Sequence, residues 1–194
     1  MLNGYLFYIN NIFQIFAKKN FKGWGRKRTG RFASWCHRKF GGHITLLEDG
    51  FIRSLDLGVK GSPSFSIVED DIGIYYDATA PSRLEKILQT YDFHSDEALL
   101  RMAKEAIALI KKYHISKYNH APDTPDDFFL DDEKRVLIIA QTLGDSSLEY
   151  GVAESFTTEE MIKAAIAENP ESKIYLKIHP DVLTGKKSSD IDPT

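Results

Sequence analysis

The chain has 194 residues, of which 42% are hydrophobic and 27% charged, so it can bury a core and is not wholly disordered. Its single cysteine, Cys36, excludes an intrachain disulfide and a cysteine-based metal site, and it fits a reducing, cytoplasmic setting. The net charge is −3, yet residues 1–47 hold nine Lys and Arg residues and no acid. That section predicts an anionic ligand or surface, while the overall balance argues against generic nucleic-acid binding.

The first predicted element is an amphipathic helix between Leu2 and Ala17. Its apolar side chains recur at helical spacing and form one face. The stretch is too short for a membrane span and lacks the charged start and cleavage site of a signal peptide. Two interpretations stay open: the apolar face packs on the core, or the helix lies on a membrane surface beside Lys18, Lys19 and Lys22.

Turn and capping signals define the next elements, up to residue 113. Gly41 and Gly42 end a helical pattern, and residues 70–73 lie between two β-type runs, which predicts a hairpin. Ser82 and Glu85 have capping-box spacing. The predicted elements are a helix over 32–40, a short buried strand over 43–47, a hairpin of 66–68 with 74–76, a helix that opens at 81–85 and a longer helix over about 96–113.

Residues 121–133 contain two prolines and six acids, which predicts an exposed linker. Beyond it, a strand over 136–140, a helix capped by Thr157 and a strand over 173–178 form a βαβ unit, so the two strands should be parallel. Two strands do not complete a domain, and we therefore expect a fragment or a truncated product. The predicted organisation is an N-terminal Rossmann-like lobe over 1–120, the linker over 121–133 and the start of a second lobe over 134–194.

Three polar clusters follow the predicted strands. They are 48–50 (Glu-Asp-Gly), 144–147 (Gly-Asp-Ser-Ser) and 179–181 (His-Pro-Asp). Ligands of open α/β sheets bind outside the carboxyl ends of the strands. The shared position of the clusters therefore predicts an active site divided between two lobes.

The residue types in these clusters suit glycosyl transfer from a nucleotide sugar. A departing phosphate needs donors and positive charge, and an oxocarbenium-like sugar needs a carboxylate near its anomeric carbon. Retention by two displacements needs that carboxylate as nucleophile and a second group that deprotonates the acceptor. Asp145 and the pair Glu48 and Asp49 offer both roles, although strand alternation lets only one of the pair face the crevice. The candidate phosphate ligands are His179, Lys177, Lys186, Lys187 and the hydroxyls of Ser146 and Ser147.

Longer runs make the sequence recognisable. They are 23–27 (Gly-Trp-Gly-Arg-Lys), 47–54 (Leu-Glu-Asp-Gly-Phe-Ile-Arg-Ser), 73–78, 81–85, 117–119 (Lys-Tyr-Asn), 141–147 (Gln-Thr-Leu-Gly-Asp-Ser-Ser), 150–151, 177–182 (Lys-Ile-His-Pro-Asp-Val) and 185–187. Taken in order, these runs resemble the KpsC/LipA-type capsule polysaccharide proteins. The pattern departs from that family at Ala140, where an Asp is common, and family modules continue beyond Lys187.

The resemblance implies a retaining β-Kdo transferase that uses CMP-Kdo and builds the Kdo linker on lysophosphatidylglycerol. It implies a GT-B-like pair of Rossmann-type lobes, the second incomplete here, with no metal and no cofactor. The implied partners are the nucleotide-sugar donor, a Kdo-lipid acceptor and other capsule assembly and export proteins, but no nucleic acid. The implied location is the cytoplasm, peripheral at the inner membrane.

The resemblance also assigns roles. Asp145 is the implied nucleophile, Glu48 the acid/base group with Asp49 as its alternative, and His179 the ligand of the CMP phosphate. The remaining substrate or CMP contacts that we predict are Pro180, Ser146, Ser147, Gln141, Lys177 and Lys187, with Arg53 as a ligand for an acceptor carboxylate or a lipid phosphate.

Two alternatives remain at this stage: a non-catalytic fragment that keeps protein contacts in the capsule machinery, and a sialyltransferase-like enzyme with another CMP-sugar donor. Trp24 and Trp35 are predicted to be packing residues, and Cys36 an inert buried thiol. Arg26 shares with Arg53 the open choice between an anionic ligand and a surface ion pair.

Overall fold

A computed structural model describes residues 4–54, 64–116, 125, 127–128 and 130–191. The chain is of the mixed α/β class, as predicted, and divides into two compact units, Met1–Pro122 and Asp123–Thr194. Unit 1 contains α1 (Gly4–Phe16), β1 (Asn20–Trp24), α2 (Arg28–Phe40), β2 (His43–Asp49), β3 (Ile67–Asp70), α3 (Arg83–Thr90) and α4 (Glu97–Lys112). Unit 2 contains β4 (Arg135–Ile139), α5 (Ser146–Tyr150), α6 (Thr158–Glu168), β5 (Lys173–Lys177) and α7 (Pro180–Leu183).

The described sheet of unit 1 has the strand order β1-β2-β3, with β1 parallel and β3 antiparallel to β2. Strand β1 was missed by the sequence analysis, although its burial alternates along Asn20–Trp24 as in a strand with one inner face. Helix α2 lies so close to β1 that a Cβ atom on Gly23 would collide with the backbone of Thr29. The Gly-rich basic run is therefore a tight strand-to-helix crossing.

The core of unit 1 lies between α2 and this sheet. Phe21, Ala33 and Cys36 are fully buried there, and Phe32 and Phe40 pack against them. The prediction that Cys36 is buried is confirmed, and this burial raises the pKa of its thiol. Trp35 packs against Phe32 and Phe40, at 5.9 Å between ring centroids in both cases, but it remains 47% exposed and lies at the edge of this core.

Helix α1 forms where it was predicted, but the apolar face that was expected to pack on the core is exposed. The buried position is Asn11, whose side chain donates to the Lys22 carbonyl and accepts from the Lys22 amide, both at 2.8 Å. Strand β1 is the edge of the described sheet, and an edge strand has backbone groups without a neighbouring strand. Asn11 satisfies two of them, and Ile15 on the same side of α1 packs against the core, while the predicted apolar face turns to solvent.

The predicted hairpin of 66–68 with 74–76 is wrong. Strand β3 pairs with β2 instead, and residues after Asp70 leave the sheet. The cause is the buried carboxylate of Asp70, which accepts hydrogen bonds from the amides of Ile72, Gly73 and Arg83 at 2.8–2.9 Å. These bonds close a turn that leads the chain towards α3 rather than back along β3.

Helix α3 confirms the predicted N-cap at Ser82, and α4 has an N-cap that the sequence analysis did not predict. The Ser82 hydroxyl accepts from the Glu85 amide at 3.1 Å, and Asp96 caps α4 by accepting from the Leu99 amide at 2.9 Å. Neither helix buries a residue, so the shared apolar face predicted for 96–113 stays largely uncovered.

Unit 2 contains the predicted parallel strand pair. Strands β4 and β5 pair from Arg135 opposite Lys173 to Ile139 opposite Lys177, and α6 connects them. Thr157 and Glu160 form the capping box of α6, with both reciprocal bonds present. The short helices α5 and α7 were not predicted. Residues 117–119, 121–124, 126 and 129, which include the Lys-Tyr-Asn run and much of the predicted linker, lie outside the described residues.

Candidate functional site

Glu48 is the second-last residue of β2, and its side chain is half-buried. Its Oε1 accepts from the Trp24 indole Nε1 at 2.9 Å and from the Asp49 amide at 3.1 Å. Gly25 lies against the same carboxylate, since a Cβ atom there would be 2.7 Å from Oε2. Two neutral donors thus fix the orientation of Glu48 without an ion pair on Oε1, an arrangement that suits a group that gives and takes protons.

Asp49 is placed differently from its neighbour. Its Oδ1 accepts from the Arg53 guanidinium Nε at 2.7 Å, and Arg53 also donates to the Ser54 hydroxyl at 3.1 Å. The predicted anion ligand Arg53 therefore forms an ion pair with Asp49. The two carboxylates thus have different partners among the described residues, a guanidinium at Asp49 and two neutral N–H donors at Oε1 of Glu48.

A second layer beside Glu48 consists of Arg26, Tyr76 and Asp77. The Tyr76 hydroxyl accepts from the Arg26 amide at 2.8 Å, and the Arg26 side chain forms an ion pair with Asp77 at 2.5 Å (Nη2 to Oδ2). Burial, together with the Glu48 charge, raises the pKa of Tyr76 to about 12, so this hydroxyl stays protonated. Burial pushes the pKa of Asp77 upward, but hydrogen bonds from Thr79 and Arg26 outweigh it and hold that pKa below its usual value.

Tyr76 and Asp77 were not assigned a role from the sequence, and Arg26, which was left open between an anionic ligand and a surface ion pair, pairs with the buried Asp77. Trp24, Arg26, Tyr76 and Asp77 all stand in runs that carry the family resemblance, but a half-buried Trp or Tyr carries no chemical signal by itself. The close approach of Gly25 to Tyr76 and Glu48, with φ of +42° at this glycine, is visible only in three dimensions.

Asp145 follows β4 and caps the short helix α5. Its Oδ1 accepts from both the amide and the hydroxyl of Ser147, at 3.0 and 2.9 Å, while Oδ2 lies 4.0 Å from Lys187 Nζ. Lys187 Nζ is also 3.5 Å from the hydroxyl of the buried Thr142. The structure thus brings together the predicted residues Asp145, Ser147 and Lys187, with Oδ2 facing the positive charge.

His179 follows β5 in the same way and caps α7. Its Nδ1 accepts from the Asp181 amide at 3.0 Å, which in the neutral imidazole leaves the proton on Nε2. The ring therefore presents a donor of the kind that a phosphate needs. Asp181 is buried, and its backbone carbonyl accepts from the amides of Lys186 and Lys187 at 2.8 and 3.0 Å, which ties the chain around Lys187 to α7.

The other predicted contacts in unit 2 are dispersed. Pro180 and Ser146 are the first residues of α7 and α5, and both are half-buried. The side chains of Gln141, Lys177 and Lys186 are exposed. Of these, Lys177 ends β5, and its carbonyl accepts from the Ala140 amide at 3.0 Å.

Within the described ranges, no three His, Cys, Asp or Glu side chains lie close enough together to hold a metal ion. No described helix is long and apolar enough to cross a membrane.

Both units place acidic and basic side chains where strands end, the arrangement of an α/β ligand-binding protein. A family model described as "Capsule polysaccharide biosynthesis protein" matches residues 21–131 and 126–192. The chain belongs to this family, which confirms the resemblance found in the sequence.

Two relatives show how far the similarity extends. The capsule polysaccharide modification protein LipA of Neisseria meningitidis serogroup A is 48% identical over 168 residues, which are 85% of this chain and 24% of LipA. The lipopolysaccharide-processing protein LpsZ of Rhizobium meliloti is 32% identical over 148 residues, 76% of this chain and 34% of LpsZ. The chain thus spans about a quarter to a third of the length of these relatives.

Two solved structures resemble the fold, both of Thermosulfurimonas dismutans KpsC. The β-Kdo 2,4 transferase is 42% identical with a TM-score of 0.77, over 87% of this chain and 52% of that structure. The β-Kdo 2,7 transferase is 31% identical with a TM-score of 0.62, over 90% of this chain and 52% of that structure. The chain is therefore similar to two transferases that act with the same sugar.

Proposed function

We propose that this chain is part of a retaining β-Kdo transferase of capsule polysaccharide biosynthesis, with CMP-Kdo as its donor. The observation that carries the proposal is the Asp145 site: a carboxylate fixed by Ser147, with Oδ2 at 4.0 Å from Lys187, at the end of a parallel strand. The similarity to the two KpsC β-Kdo transferases supports the choice of sugar.

In the first step Oδ2 of Asp145 attacks the anomeric carbon of Kdo. The bond from that carbon to the CMP phosphate oxygen breaks, and CMP leaves with the electron pair. Lys187 and the Nε2–H of His179 are of the right charge and type to stabilise the departing phosphate. Each of two displacements at one carbon inverts it, so a second one restores the configuration.

In the second step a hydroxyl of the acceptor attacks the same carbon and the ester to Asp145 breaks. We assign Glu48 as the base that takes the hydroxyl proton, because its carboxylate is oriented by Trp24, whereas Asp49 is paired with Arg53. The acceptor we propose is a Kdo-lysophosphatidylglycerol linker, and the arrangement a GT-B-type pair in which unit 1 serves the acceptor and unit 2 the nucleotide. The proposed location is the cytoplasmic face of the inner membrane, with other capsule assembly and export proteins as partners.

The test is release of CMP from CMP-Kdo in the presence of a Kdo-lipid acceptor, with intact-protein mass spectrometry on the same samples. Asp145→Asn should abolish release, and Glu48→Gln should accumulate a covalent Kdo adduct because the second step loses its base. Glu149→Gln, an exposed carboxylate on the same short helix, is the matched control and should leave release unchanged. Release that survives Asp145→Asn, or an inverted product, would refute the double displacement.

A second candidate is a non-catalytic part that keeps protein contacts within the capsule machinery. The chain matches 24% of LipA and 52% of each KpsC structure, so the activity of a whole transferase is itself part of the proposal. CMP binding without any CMP release from CMP-Kdo would support this candidate. A preference for CMP-sialic acid in donor competition would instead indicate a transferase of the same design with another sugar.

A further inference from the structure

Helix α1 presents a continuous apolar face to solvent. We call this the α1 apolar face; its residues are Tyr5, Leu6, Ile9, Ile12, Phe13 and Phe16. Their exposure runs from 51% at Ile12 to 88% at Phe16, although aromatic and aliphatic side chains of this size are usually buried. The inner face is fixed by the two bonds of Asn11 to Lys22, so the helix cannot roll its apolar side inward without breaking both.

Basic residues follow this helix in the sequence, and no acidic residue stands near it in the sequence. Residues 1–47 contain no Asp or Glu, and Lys18 and Lys19 follow α1 directly, both exposed. Lys22 is not counted with these lysines, because its Nζ forms an ion pair with Oε1 of Glu69 at 3.7 Å. Helix α2 contacts α1, with 5.1 Å between the ring centroids of Phe32 and Tyr8. It exposes Trp35 and a set of positively charged side chains. That set is Arg28, Arg31, Arg38 and Lys39.

The other exposed apolar helix of unit 1 differs in charge. Helix α4 also exposes large apolar side chains, such as Met102 and Ile107, and it also ends in two lysines, Lys111 and Lys112. However, acids are interspersed along it, at Glu97 and Glu105. Among the described helices of this unit, only α1 combines an exposed apolar face with neighbouring basic residues and no acidic residue in the sequence around it.

The charge pattern distinguishes between possible occupants of the α1 apolar face. A second copy of the chain would bring two cationic rims together, which repel each other. An anionic lipid surface matches both properties of this region: its acyl chains can cover the α1 apolar face, and its phosphates can bind the lysines. Trp and Tyr side chains also favour the boundary between acyl chains and headgroups.

We propose that α1 is an interfacial helix that lies in the surface of an anionic bilayer, with the α1 apolar face in the acyl boundary and Lys18 and Lys19 at the phosphates. The inference rests on the geometry of unit 1 and not on the proposed transfer reaction, although it supplies a structural basis for the proposed membrane location.

The test is co-sedimentation of the 194-residue chain with vesicles, either of phosphatidylcholine alone or of phosphatidylcholine and phosphatidylglycerol in equal parts. The wild type should bind the anionic vesicles and release them in high salt. Lys18→Gln/Lys19→Gln should weaken that binding about 25-fold, from about fivefold for each lysine. Phe13→Ser/Phe16→Ser should weaken binding to both kinds of vesicle by more than tenfold.

The matched controls lie on α4, which offers the same residue types. Lys111→Gln/Lys112→Gln and Ile107→Ser should bind vesicles as the wild type does. Equal losses in these controls, no vesicle binding by the wild type, or binding that survives the α1 variants would overturn the proposal. A wild-type dimer in sedimentation equilibrium that Phe13→Ser/Phe16→Ser converts to a monomer, without vesicle binding, would assign the face to a second copy instead.

CMP titration of the same α1 variants separates this inference from the proposed function. Phe13→Ser/Phe16→Ser should keep the CMP affinity of the wild type, and tryptophan fluorescence, which reports on unit 1, should show that this unit of the variant is folded. Vesicle binding without CMP binding in the wild type would count against the transferase and leave the interfacial helix standing. CMP binding without vesicle binding would overturn the interfacial helix and leave the proposed transferase standing.

Discussion

The ion pair between Arg26 and Asp77 holds the loop beside Glu48, and Asp77→Asn should destabilise unit 1 strongly. The Asp77 side chain is 2% exposed and that of Arg26 18%, so water screens the pair only weakly. Both Nε and Nη2 of Arg26 bond to Oδ2, at 2.7 and 2.5 Å, while Oδ1 accepts from the amide and hydroxyl of Thr79. An asparagine can keep the Thr79 bonds, but it turns an amide donor towards a guanidinium.

The expected cost is about 3 kcal/mol, at the lower end of the range for breaking a buried ion pair, because Arg26 retains some exposure. With a urea m-value of about 2 kcal/mol/M for a unit of this size, the midpoint should fall by about 1.5 M. The pKa of Asp77 is held below its unfolded value of about 3.9. The stability that the wild type has over Asp77→Asn is therefore fully present above about pH 3.9, and it is lost as the pH falls through the folded-state pKa of Asp77.

Urea unfolding followed by tryptophan fluorescence measures this cost, because both tryptophans, Trp24 and Trp35, lie in unit 1. The matched control is Asp71→Asn, which removes a similar bidentate pair with Arg83 at 2.7 Å on the exposed surface. Its midpoint should hardly move. Equal midpoints for Asp77→Asn and Asp71→Asn at pH 7 would refute the reasoning, as would a difference from the wild type that persists unchanged at pH 3.

Three further changes test individual contacts. Trp24→Phe removes the indole donor to Glu48 but keeps a ring, so CMP-Kdo turnover should fall about tenfold while CMP binding stays constant. Asn11→Ala leaves two backbone groups of β1 without partners and should lower the free energy of unfolding, read by tryptophan fluorescence, by about 2 kcal/mol. Thr157→Ala breaks the capping box and should speed amide hydrogen exchange in α6 about fivefold. An unchanged turnover, midpoint or exchange rate, respectively, would contradict each assignment.

Local signals in the sequence predicted local structure well. The caps at Ser82 and Thr157 and the glycine stop after α2 need only neighbouring residues, and all three are present. The βαβ pattern likewise predicted the parallel pairing of β4 with β5. The family runs led to Asp145 and Lys187, which the fold brings within 4.0 Å.

Contacts across the fold were less predictable. The hairpin prediction failed because Asp70 forms three bonds to backbone amides, one of them from Arg83. The apolar pattern of α1 was read correctly as a helix, but its inner face is set by Asn11 at the sheet edge, which no periodicity reveals. Trp24 donates to Glu48, and Tyr76 lies against Gly25. Both contacts depend on how closely α2 follows β1, which the sequence pattern does not show.

A nucleotide site around Asp145, Lys187 and His179 in unit 2 can be tested by calorimetric titration of the chain with CMP. We expect saturable one-to-one binding by the wild type that is lost in His179→Ala. His94→Ala, which removes an exposed histidine of unit 1, should bind CMP with full affinity. A folded chain that does not bind CMP, or that binds it equally well without the His179 imidazole, would show that unit 2 does not carry this site.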